Sequence, residues 1–147
     1  KMTLQEQAQI FRETFNQESL DNLSRYGFVK KQLWDMQVGL ICEESKEFLD
    51  ASDEVYADPE NNAKRINLLK ELSDVVFVCY QFAAAFNLDL DEAMQRVYDS
   101  NMSKLDEQGK PIYRADGKVL KGPNYMPPNL QDCVPQTTST DYDTYGK

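Results

Sequence analysis

Two stretches of this sequence place acidic side chains where a helix would carry its core. The first is Cys42-Glu43-Glu44-Ser45-Lys46-Glu47-Phe48, and the second is Lys70-Glu71-Leu72-Ser73-Asp74-Val75. Successive residues of an α-helix are about 100° apart. Six largely apolar residues therefore fall within about 45° of Glu44: Leu33, Gln37, Leu40, Phe48, Ala51 and Val55. We expect Glu44 in the middle of an inward face, with Glu47 one turn further on and to one side.

The second stretch carries its acids beside a predicted apolar stripe. The stripe comprises Leu68, Leu72, Val75, Val76, Cys79 and Ala83. Glu71 lies on its border and Asp74 one step further out. Two helices are thus predicted to direct acidic pairs at or next to a core.

Ionised carboxylates brought together near a core need a compensating positive charge, because burial and mutual repulsion both cost free energy. The two stretches supply only Lys46 and Lys70, and Lys46 projects away from Glu44. Oxygen-only clusters spread over two elements suit a hard divalent cation such as Mg²⁺, with Mn²⁺ as a possible substitute. The predicted ligands are Glu44, Glu47, Glu71 and Asp74, with Glu43 as a fifth acid.

The sequence contains no histidine, which excludes several classes of catalytic and metal site. Ser-His and Cys-His catalysis, imidazole-bound zinc and the Glu-x-x-His ligands of di-iron bundles all require that residue. The chain also lacks the glycine-rich phosphate-binding motifs of P-loop and Rossmann proteins. If this protein handles phosphate, it must do so with metal ions.

Length and charge restrict the remaining possibilities. The 147 residues are enough for one domain, and a net charge of −9 argues against binding nucleic acid through its phosphates. Cys42 and Cys79 fall in apolar runs, so we expect buried, reduced thiols. No signal peptide or membrane-spanning run is visible, so we expect a cytoplasmic protein that does not contact membranes.

Helix signals divide most of the chain into four helices. The first covers about 3–15 and begins with capping-box spacing between Thr3 and Glu6. The second covers about 31–57. Asp58 before a proline predicts the start of the third, about 59–86, and Asp89 opens the fourth, with Glu92 as its reciprocal cap.

The segment Val75–Phe86 is apolar nearly all the way round its predicted helix. Such a helix must be covered on every side, and four modest helices can hardly do this alone. We therefore expect a partner subunit to cover part of this segment, in a homodimer or a dimer of dimers.

Beyond Leu105 the helical periodicity stops. The segment Ile112–Leu120 predicts a small β-hairpin with Gly117 in its turn. Four basic residues concentrate there in an otherwise acidic chain: Lys110, Arg114, Lys118 and Lys121. The hairpin is either an ordinary surface feature or a flap, about 109–125, that closes over a polyphosphate. Residues 131–147 are polar and predict a tail after a single domain of residues 1–130.

The two acidic motifs resemble those of a known family. Glu44-x-x-Glu47, a gap, and Glu71-x-x-Asp74 on two helices look like the all-α nucleoside triphosphate pyrophosphatases, the MazG-like and phosphoribosyl-ATP-pyrophosphohydrolase-like superfamily related to the dimeric dUTPases. Asn101-Met102-Ser103-Lys104 is similar to the phosphate-contacting segment of that family. The region from Gly109 through Tyr125 looks like the tail of its small, often phage-borne, members.

The resemblance implies a fold, a reaction and a set of site residues. The fold is a four-helix-bundle-like all-α fold, here followed by a short C-terminal β-hairpin and an extended tail. The reaction is hydrolysis of a nucleoside triphosphate to the monophosphate and pyrophosphate, with two or three Mg²⁺ ions. Glu43 is either an outer metal ligand or the base that orients water, and the remaining acids bind metal. The expected phosphate contacts are Asn101, Lys104, Arg114, Lys121 and Tyr125.

Trp34 and Gln37 precede the first acidic motif on a compatible helix face. Trp34 could stack on a nucleotide base and Gln37 could bind its edge, although Trp34 also suits a core. Two alternatives remain open: a non-enzymatic acidic helical module that binds a basic partner, and a dUTPase or phosphoribosyl-ATP-type enzyme with a narrower substrate. The sequence does not distinguish one base from another.

Overall fold

A computed structural model describes residues 1–20 and 31–135. This part of the chain is all-α, as predicted. Its α-helices are α1 (Leu4–Thr14), α2 (Lys31–Ala57), α3 (Asn62–Ala85) and α4 (Leu90–Met102), followed by a 3₁₀ helix at Gln131–Cys133. None of the described helices is long and apolar enough to cross a membrane. The chain divides into two compact units, one of Lys1–Leu88 with Pro135 and one of Asp89–Val134.

Helix α1 begins at the predicted capping box. The Glu6 amide donates to the Thr3 hydroxyl at 3.1 Å, and the Thr3 amide donates to the Glu6 carboxylate at 2.8 Å. The helix packs against α3, where Phe11 meets the edge of Phe77 with ring centroids 5.1 Å apart. The charged Arg12 lies buried in this unit, although nothing in the apolar pattern of α1 predicted it.

Helices α2 and α3 form a long antiparallel hairpin, joined by the short turn 58–61. The cap of α3 is Asn61, whose side chain accepts from the Lys64 amide at 3.2 Å, so the predicted start at Asp58 was three residues early. Asp58 instead accepts from the side chains of Asn61 and Lys64. Because the chain reverses direction here, the residues that predicted a helix start form the turn.

The inward face of α3 differs from the predicted stripe. Leu72 and Val76 are 43% and 41% exposed, whereas Glu71 is only 8% exposed. The residues directed inward recur at helical spacing and are Leu68, Glu71, Val75, Val78, Phe82 and Ala85. The prediction chose the wrong phase because the second half of α3 is apolar on every side. Glu71 consequently lies in the middle of an inward face, like Glu44 on α2.

Most of the apolar segment Val75–Phe86 is already buried, including Ala83, Ala85 and Phe86. Only Val76 and Phe77 of this segment are classed as exposed. The need for a partner to cover the segment is therefore smaller than predicted. Exposed apolar side chains of α3 extend toward its N-terminus instead: Ile66, Leu69 and Leu72.

The second unit consists of α4 and the extended chain that returns along it. The Asp89 side chain caps α4 by accepting from the Glu92 amide at 3.1 Å, as predicted. The reciprocal bond is not formed, because the Asp89 amide donates to the Cys133 carbonyl at 2.9 Å and Glu92 pairs with Arg96. Arg96 also donates to the Asn129 carbonyl at 2.9 Å and pairs with Asp132.

The predicted hairpin at Ile112–Leu120 is reduced to one isolated antiparallel bridge between Tyr113 and Val119, and the described residues contain no β-strand. The Arg114 amide donates to the Lys118 carbonyl and the Leu120 amide to the Ile112 carbonyl, each at 2.8 Å. Gly117, with φ of +87°, occupies the left-handed turn position that favours glycine. The pairing is too short to count as two strands.

The thiol prediction was wrong for Cys42, which is exposed on α2, while Cys79 is half-buried. Cys42 follows the inward-facing Ile41 by one residue, so it falls beside the apolar face and not on it. Of the predicted tail, Gln131–Cys133 form the short 3₁₀ helix, and residues 136–147 lie outside the described part.

Candidate active site

Three of the predicted metal ligands converge between α2 and α3. Glu44, Glu47 and Glu71 each offer a carboxylate oxygen, and these oxygens lie within 4.8 Å of one another. Glu44 and Glu47 are one turn apart on α2, so both side chains reach the point that Glu71 approaches from α3. Two antiparallel helices thus build an oxygen-only cluster within a single unit.

The cluster contains two buried carboxylate oxygens that lack a hydrogen-bond donor. Within the described residues, Oε2 of Glu44 and Oε2 of Glu71 are both buried and unpartnered. Leaving such acceptors unsatisfied is costly, and a bound cation would satisfy them. Carboxylate oxygens from several residues are the ligand set that Mg²⁺ and Mn²⁺ prefer. The residues therefore fit a hard divalent cation.

Lys70 supplies a positive charge inside this acidic surface. Its Nζ lies 2.8 Å from Asp74 and 3.2 Å from Glu71, and the hydrogen bonds to these carboxylates raise the Lys70 pKa. Lys70 was predicted only as a nearby positive charge, although its i,i+4 spacing to Asp74 was a usable signal of this ion pair. One ammonium group compensates only part of the charge of four neighbouring carboxylates.

The pKa of Glu44 is raised above its usual value. Burial of the carboxylate is the largest cause, followed by the negative charges of Glu47 and Asp74; Lys70 acts weakly in the opposite sense. The metal-free site therefore disfavours the ionised form of Glu44, and a bound cation would favour it.

We expect Glu44→Gln to stabilise the metal-free protein in a pH-dependent manner. The raised native pKa means that the folded state binds more protons than the unfolded state, so the free energy of unfolding falls as pH rises from about 4.5 through the native pKa. A glutamine side chain does not ionise, so the variant does not lose this part of the free energy of unfolding. In denaturant titrations with chelator, the advantage of Glu44→Gln over the parent should therefore grow with pH.

Glu54→Gln is the matched control for this comparison, since Glu54 is exposed on the same helix. The difference in the free energy of unfolding between Glu54→Gln and the parent should not change over the same pH range. An equally flat difference for Glu44→Gln would show that ionisation of Glu44 does not oppose folding.

The other two predicted ligands lie outside the three-residue cluster. Asp74 pairs with Lys70, and its charge still reaches Glu44. Glu43 is exposed on α2. Asp74 is therefore held in an ion pair at the edge of the cluster, whereas Glu43 faces solvent.

The predicted phosphate contacts all belong to the second unit. The Gly122 amide donates to the Lys104 carbonyl at 2.8 Å, and a Cβ on Gly122 would lie 2.2 Å from the Leu105 carbonyl oxygen. Only glycine permits this approach, which brings the backbone at Gly122 against the backbone of Lys104 and Leu105. The Lys121 ammonium lies 4.5 Å from the centre of the Tyr125 ring, a cation–π distance.

Arg114 forms a local ion pair, and Asn101 is exposed. Arg114 pairs with Asp116 in its own turn, through contacts of 2.5 and 2.9 Å. Asn101 is exposed at the end of α4, while its neighbour Ser100 is buried. Ser100 donates its hydroxyl to the Met126 carbonyl at 2.7 Å, which holds the returning chain against α4.

The predicted base contacts lie at the start of α2. Trp34 packs against Phe82 and Phe86, with centroid distances of 5.1 Å to each, yet 42% of it remains exposed. Gln37 is 1% exposed, and its Oε1 has no donor within the described part of the chain. The aromatic packing agrees with the core interpretation of Trp34, while Gln37 is a buried side chain whose Oε1 lacks a donor among the described residues.

Comparison with known proteins gives an independent result. The family model for phosphoribosyl-ATP pyrophosphohydrolase matches residues 9–101, well over half of the chain, and this range includes both acidic motifs. Lys104, Arg114, Lys121 and Tyr125 lie beyond the matched range. No curated protein sequence matches the chain. The chain therefore belongs to the phosphoribosyl-ATP pyrophosphohydrolase family, within the MazG-like all-α nucleoside triphosphate pyrophosphatase superfamily, and is a nucleotide pyrophosphohydrolase.

Proposed function

We propose that this enzyme hydrolyses a nucleoside triphosphate, with Mg²⁺, between its α and β phosphates to release the monophosphate and pyrophosphate. The observation that carries the proposal is the convergence of Glu44, Glu47 and Glu71, with buried and unpartnered oxygens on Glu44 and Glu71. Family membership rules out the non-enzymatic alternative. A narrower substrate, such as dUTP or phosphoribosyl-ATP, remains compatible with the same site.

The proposed role of each acidic residue follows from its burial and charge. Glu44, Glu47 and Glu71 would hold two or three Mg²⁺ ions, with Asp74 as a further ligand. Bound Mg²⁺ supplies Lewis-acid stabilisation of the negative charge on the phosphates. An exposed carboxylate such as Glu43 could accept the proton of the attacking water, or bind an outer ion. The water oxygen becomes bonded to the α-phosphorus as the bond between the α-phosphorus and the α,β-bridging oxygen breaks, and pyrophosphate leaves.

A panel of nucleotides tests this function. We expect equal amounts of monophosphate and pyrophosphate from at least one nucleoside triphosphate with Mg²⁺, and no orthophosphate. Release of orthophosphate would indicate cleavage at the γ-phosphate and would contradict the proposal. The same panel reports whether one base or phosphoribosyl-ATP is preferred.

We further propose that Lys104 and Lys121, with Tyr125 and Asn101, contact phosphate groups of the substrate. The support is the glycine-dependent approach of the chain at Gly122, which brings the backbone next to Lys121 against the backbone of Lys104. Arg114 is a weaker candidate, because Asp116 already neutralises it.

Replacing Lys121 by alanine should lower kcat/KM by a factor equivalent to about 1–3 kcal/mol, since a charge-assisted contact to phosphate is lost. Arg114→Ala should have a smaller effect. Lys118→Ala is the matched control, because Lys118 is a further exposed lysine in the same segment. Equal kinetics for Lys121→Ala and Lys118→Ala would remove Lys121 from the substrate contacts.

We also propose that the enzyme is a homodimer or a dimer of dimers that uses the exposed apolar face of α3. Ile66, Leu69, Leu72 and Val76 lie on the side of the helix opposite Glu71 and are 62%, 64%, 43% and 41% exposed. Apolar surface of this kind on a soluble enzyme is suited to contact with a second copy.

Light scattering should give a mass that is a multiple of the 17.0 kDa chain. Leu69→Glu should shift the protein toward the monomer, because a charge in an apolar interface costs free energy. Leu49→Glu, a change at a leucine that is 60% exposed on α2, should not. A monomeric parent protein at micromolar concentration would contradict the proposal.

A further inference from the structure

Lys70 divides the carboxylate oxygens around the acidic cluster into two groups. Its Nζ lies 3.2 Å from Oε1 of Glu71 and 2.8 Å from Oδ2 of Asp74. The other Glu71 oxygen, Oε2, is buried and lacks a donor within the described residues, as does Oε2 of Glu44. One oxygen of Glu71 is therefore bound to an ammonium group, while the other is an unsatisfied acceptor beside Glu44 and Glu47.

The position of Lys70 on α3 lets it reach both acids from the solvent side. Residues four apart lie on the same helix face, so the Lys70 and Asp74 side chains are neighbours. The Lys70 side chain is 61% exposed, whereas that of Glu71 is 11% exposed. Among the ion pairs within residues 1–20 and 31–135, only those made by Lys70 involve an acid of this site. Lys70 is thus the cation that this part of the chain itself supplies.

Charge balance decides how many further cations the site attracts. When ionised, Glu44, Glu47, Glu71 and Asp74 carry four negative charges, of which Lys70 offsets one. One bound divalent ion would leave a single negative charge, and a second would make the site positive. Two such ions also repel each other at the spacing of about 3.5–4 Å that is typical of two-metal sites. Without phosphate oxygens between the ions, this repulsion is not offset.

The oxygens that Lys70 does not bind suit one divalent ion. Glu44, Glu47 and Glu71 each offer an oxygen within 4.8 Å of the others. Asp74 does not belong to this set of close oxygens, because its carboxylate is held by Lys70. Mg²⁺ takes about six oxygen ligands, and those that the protein does not provide come from water or from substrate phosphates.

We propose that Lys70 sets the number of metal ions in the nucleotide-free enzyme. It holds Asp74 and Oε1 of Glu71, so a single divalent ion binds at the acidic cluster, through Oε2 of Glu71 and the two glutamates of α2. Lys70 is a positioning residue in this account, because it keeps Asp74 from the first ion and leaves it for an ion that enters with the substrate phosphates. The inference rests on the proposed function for the acidic cluster as a metal site.

The Mn²⁺ stoichiometry of nucleotide-free protein tests this inference without any measurement of activity. Unbound Mn²⁺ is counted by electron paramagnetic resonance as the ion is titrated into the protein. We expect one bound ion per chain in the parent and two in Lys70→Met, because loss of the ammonium group leaves Asp74 and Oε1 of Glu71 uncompensated. Lys70→Arg keeps the positive charge and should still bind one ion.

Lys64→Met is the matched control for the change in net charge. Lys64 lies on the same helix but pairs with Asp58 in the turn, at 3.3 Å, so its removal does not alter the charge at the acidic cluster. We expect one bound ion per chain in this variant, as in the parent.

Asp74→Asn gives a second test in a protein that retains Lys70. Because Asp74 does not bind the first ion, the affinity for that ion should change by less than about threefold, the size of a screened surface charge effect. Glu71→Gln should lower the same affinity by about tenfold or more, as the loss of a ligand does. A loss in Asp74→Asn as large as that in Glu71→Gln would overturn the proposal.

The outcomes separate this inference from the proposed function. Equal Mn²⁺ stoichiometry in the parent and in Lys70→Met would overturn the role of Lys70 and leave the metal site standing. No bound Mn²⁺ in any of these proteins would contradict the metal site itself, and this inference with it. If Lys70→Met does not fold, the affinity of Asp74→Asn for Mn²⁺ decides the matter.

Discussion

Replacing Glu71 by glutamine is expected to abolish turnover and leave a folded protein. Glu71 is 8% exposed and lies within 4.8 Å of the Glu44 and Glu47 oxygens, so glutamine removes a ligand charge from the centre of the proposed metal site. Charge stabilisation by a catalytic metal is worth several kcal/mol, so kcat should fall by about a hundredfold or more. The measurement is pyrophosphate release under saturating substrate and Mg²⁺.

The fold of the Glu71→Gln protein should survive, because the carboxylates repel one another in the absence of metal. Its melting temperature in chelator should equal or exceed that of the parent. We expect the same pattern for Glu47→Ala and Asp74→Ala. Glu54→Gln, at an exposed position of α2, should retain parental activity. Variants that unfold would instead assign these acids to the structure.

Divalent cations should stabilise the parent protein markedly. At a Mg²⁺ or Mn²⁺ concentration one hundred times the dissociation constant, binding to the folded state contributes about 2.7 kcal/mol, which raises the melting temperature by about 5–10 °C. Chelator should reverse the shift. Melting curves that do not respond to either cation would contradict a metal site at the acidic cluster.

Lys70→Met tests the cause of this stabilisation. Lys70 pairs with Glu71 and Asp74, so its removal leaves the carboxylates less compensated. We expect the variant to melt lower than the parent in chelator and to gain more from Mg²⁺. An equal gain in both proteins would mean that Lys70 and the metal act independently.

The phase of α2 could be predicted from the sequence because its polar residues mark one side of the helix. Lys46, which was predicted to project away from Glu44, pairs with Asp50 at 2.8 Å on an exposed surface. Glu44 and Gln37 accordingly lie on the inward face. The helix itself, at Lys31–Ala57, also has the predicted bounds.

The phase of α3 could not be predicted in the same way. Its second half is apolar on all sides, so the hydrophobic pattern does not distinguish the face that carries Leu72 from the face that carries Glu71. Contact with α1 and α2 decides between them. The result moves Glu71 from the border of the buried stripe to its centre, which strengthens the predicted metal site.

The burial of Arg12 could not be predicted from the sequence, for a different reason. Arg12 stands in the last turn of α1, where an arginine ordinarily interacts with solvent and the helix dipole. Its burial depends on partners that include Ser19 and Gln81, the latter 69 residues away in the chain. Nothing in a local pattern predicts such a contact.

Calorimetric titration of Mn²⁺ into nucleotide-free protein is the most direct test of the acidic cluster as the metal site. We expect binding to the parent and to Glu54→Gln, and an affinity lowered at least tenfold, on the order of a lost charged ligand, in Glu71→Gln. Equal Mn²⁺ affinity in the parent and in Glu71→Gln would contradict the central claim that Glu44, Glu47 and Glu71 form the metal centre.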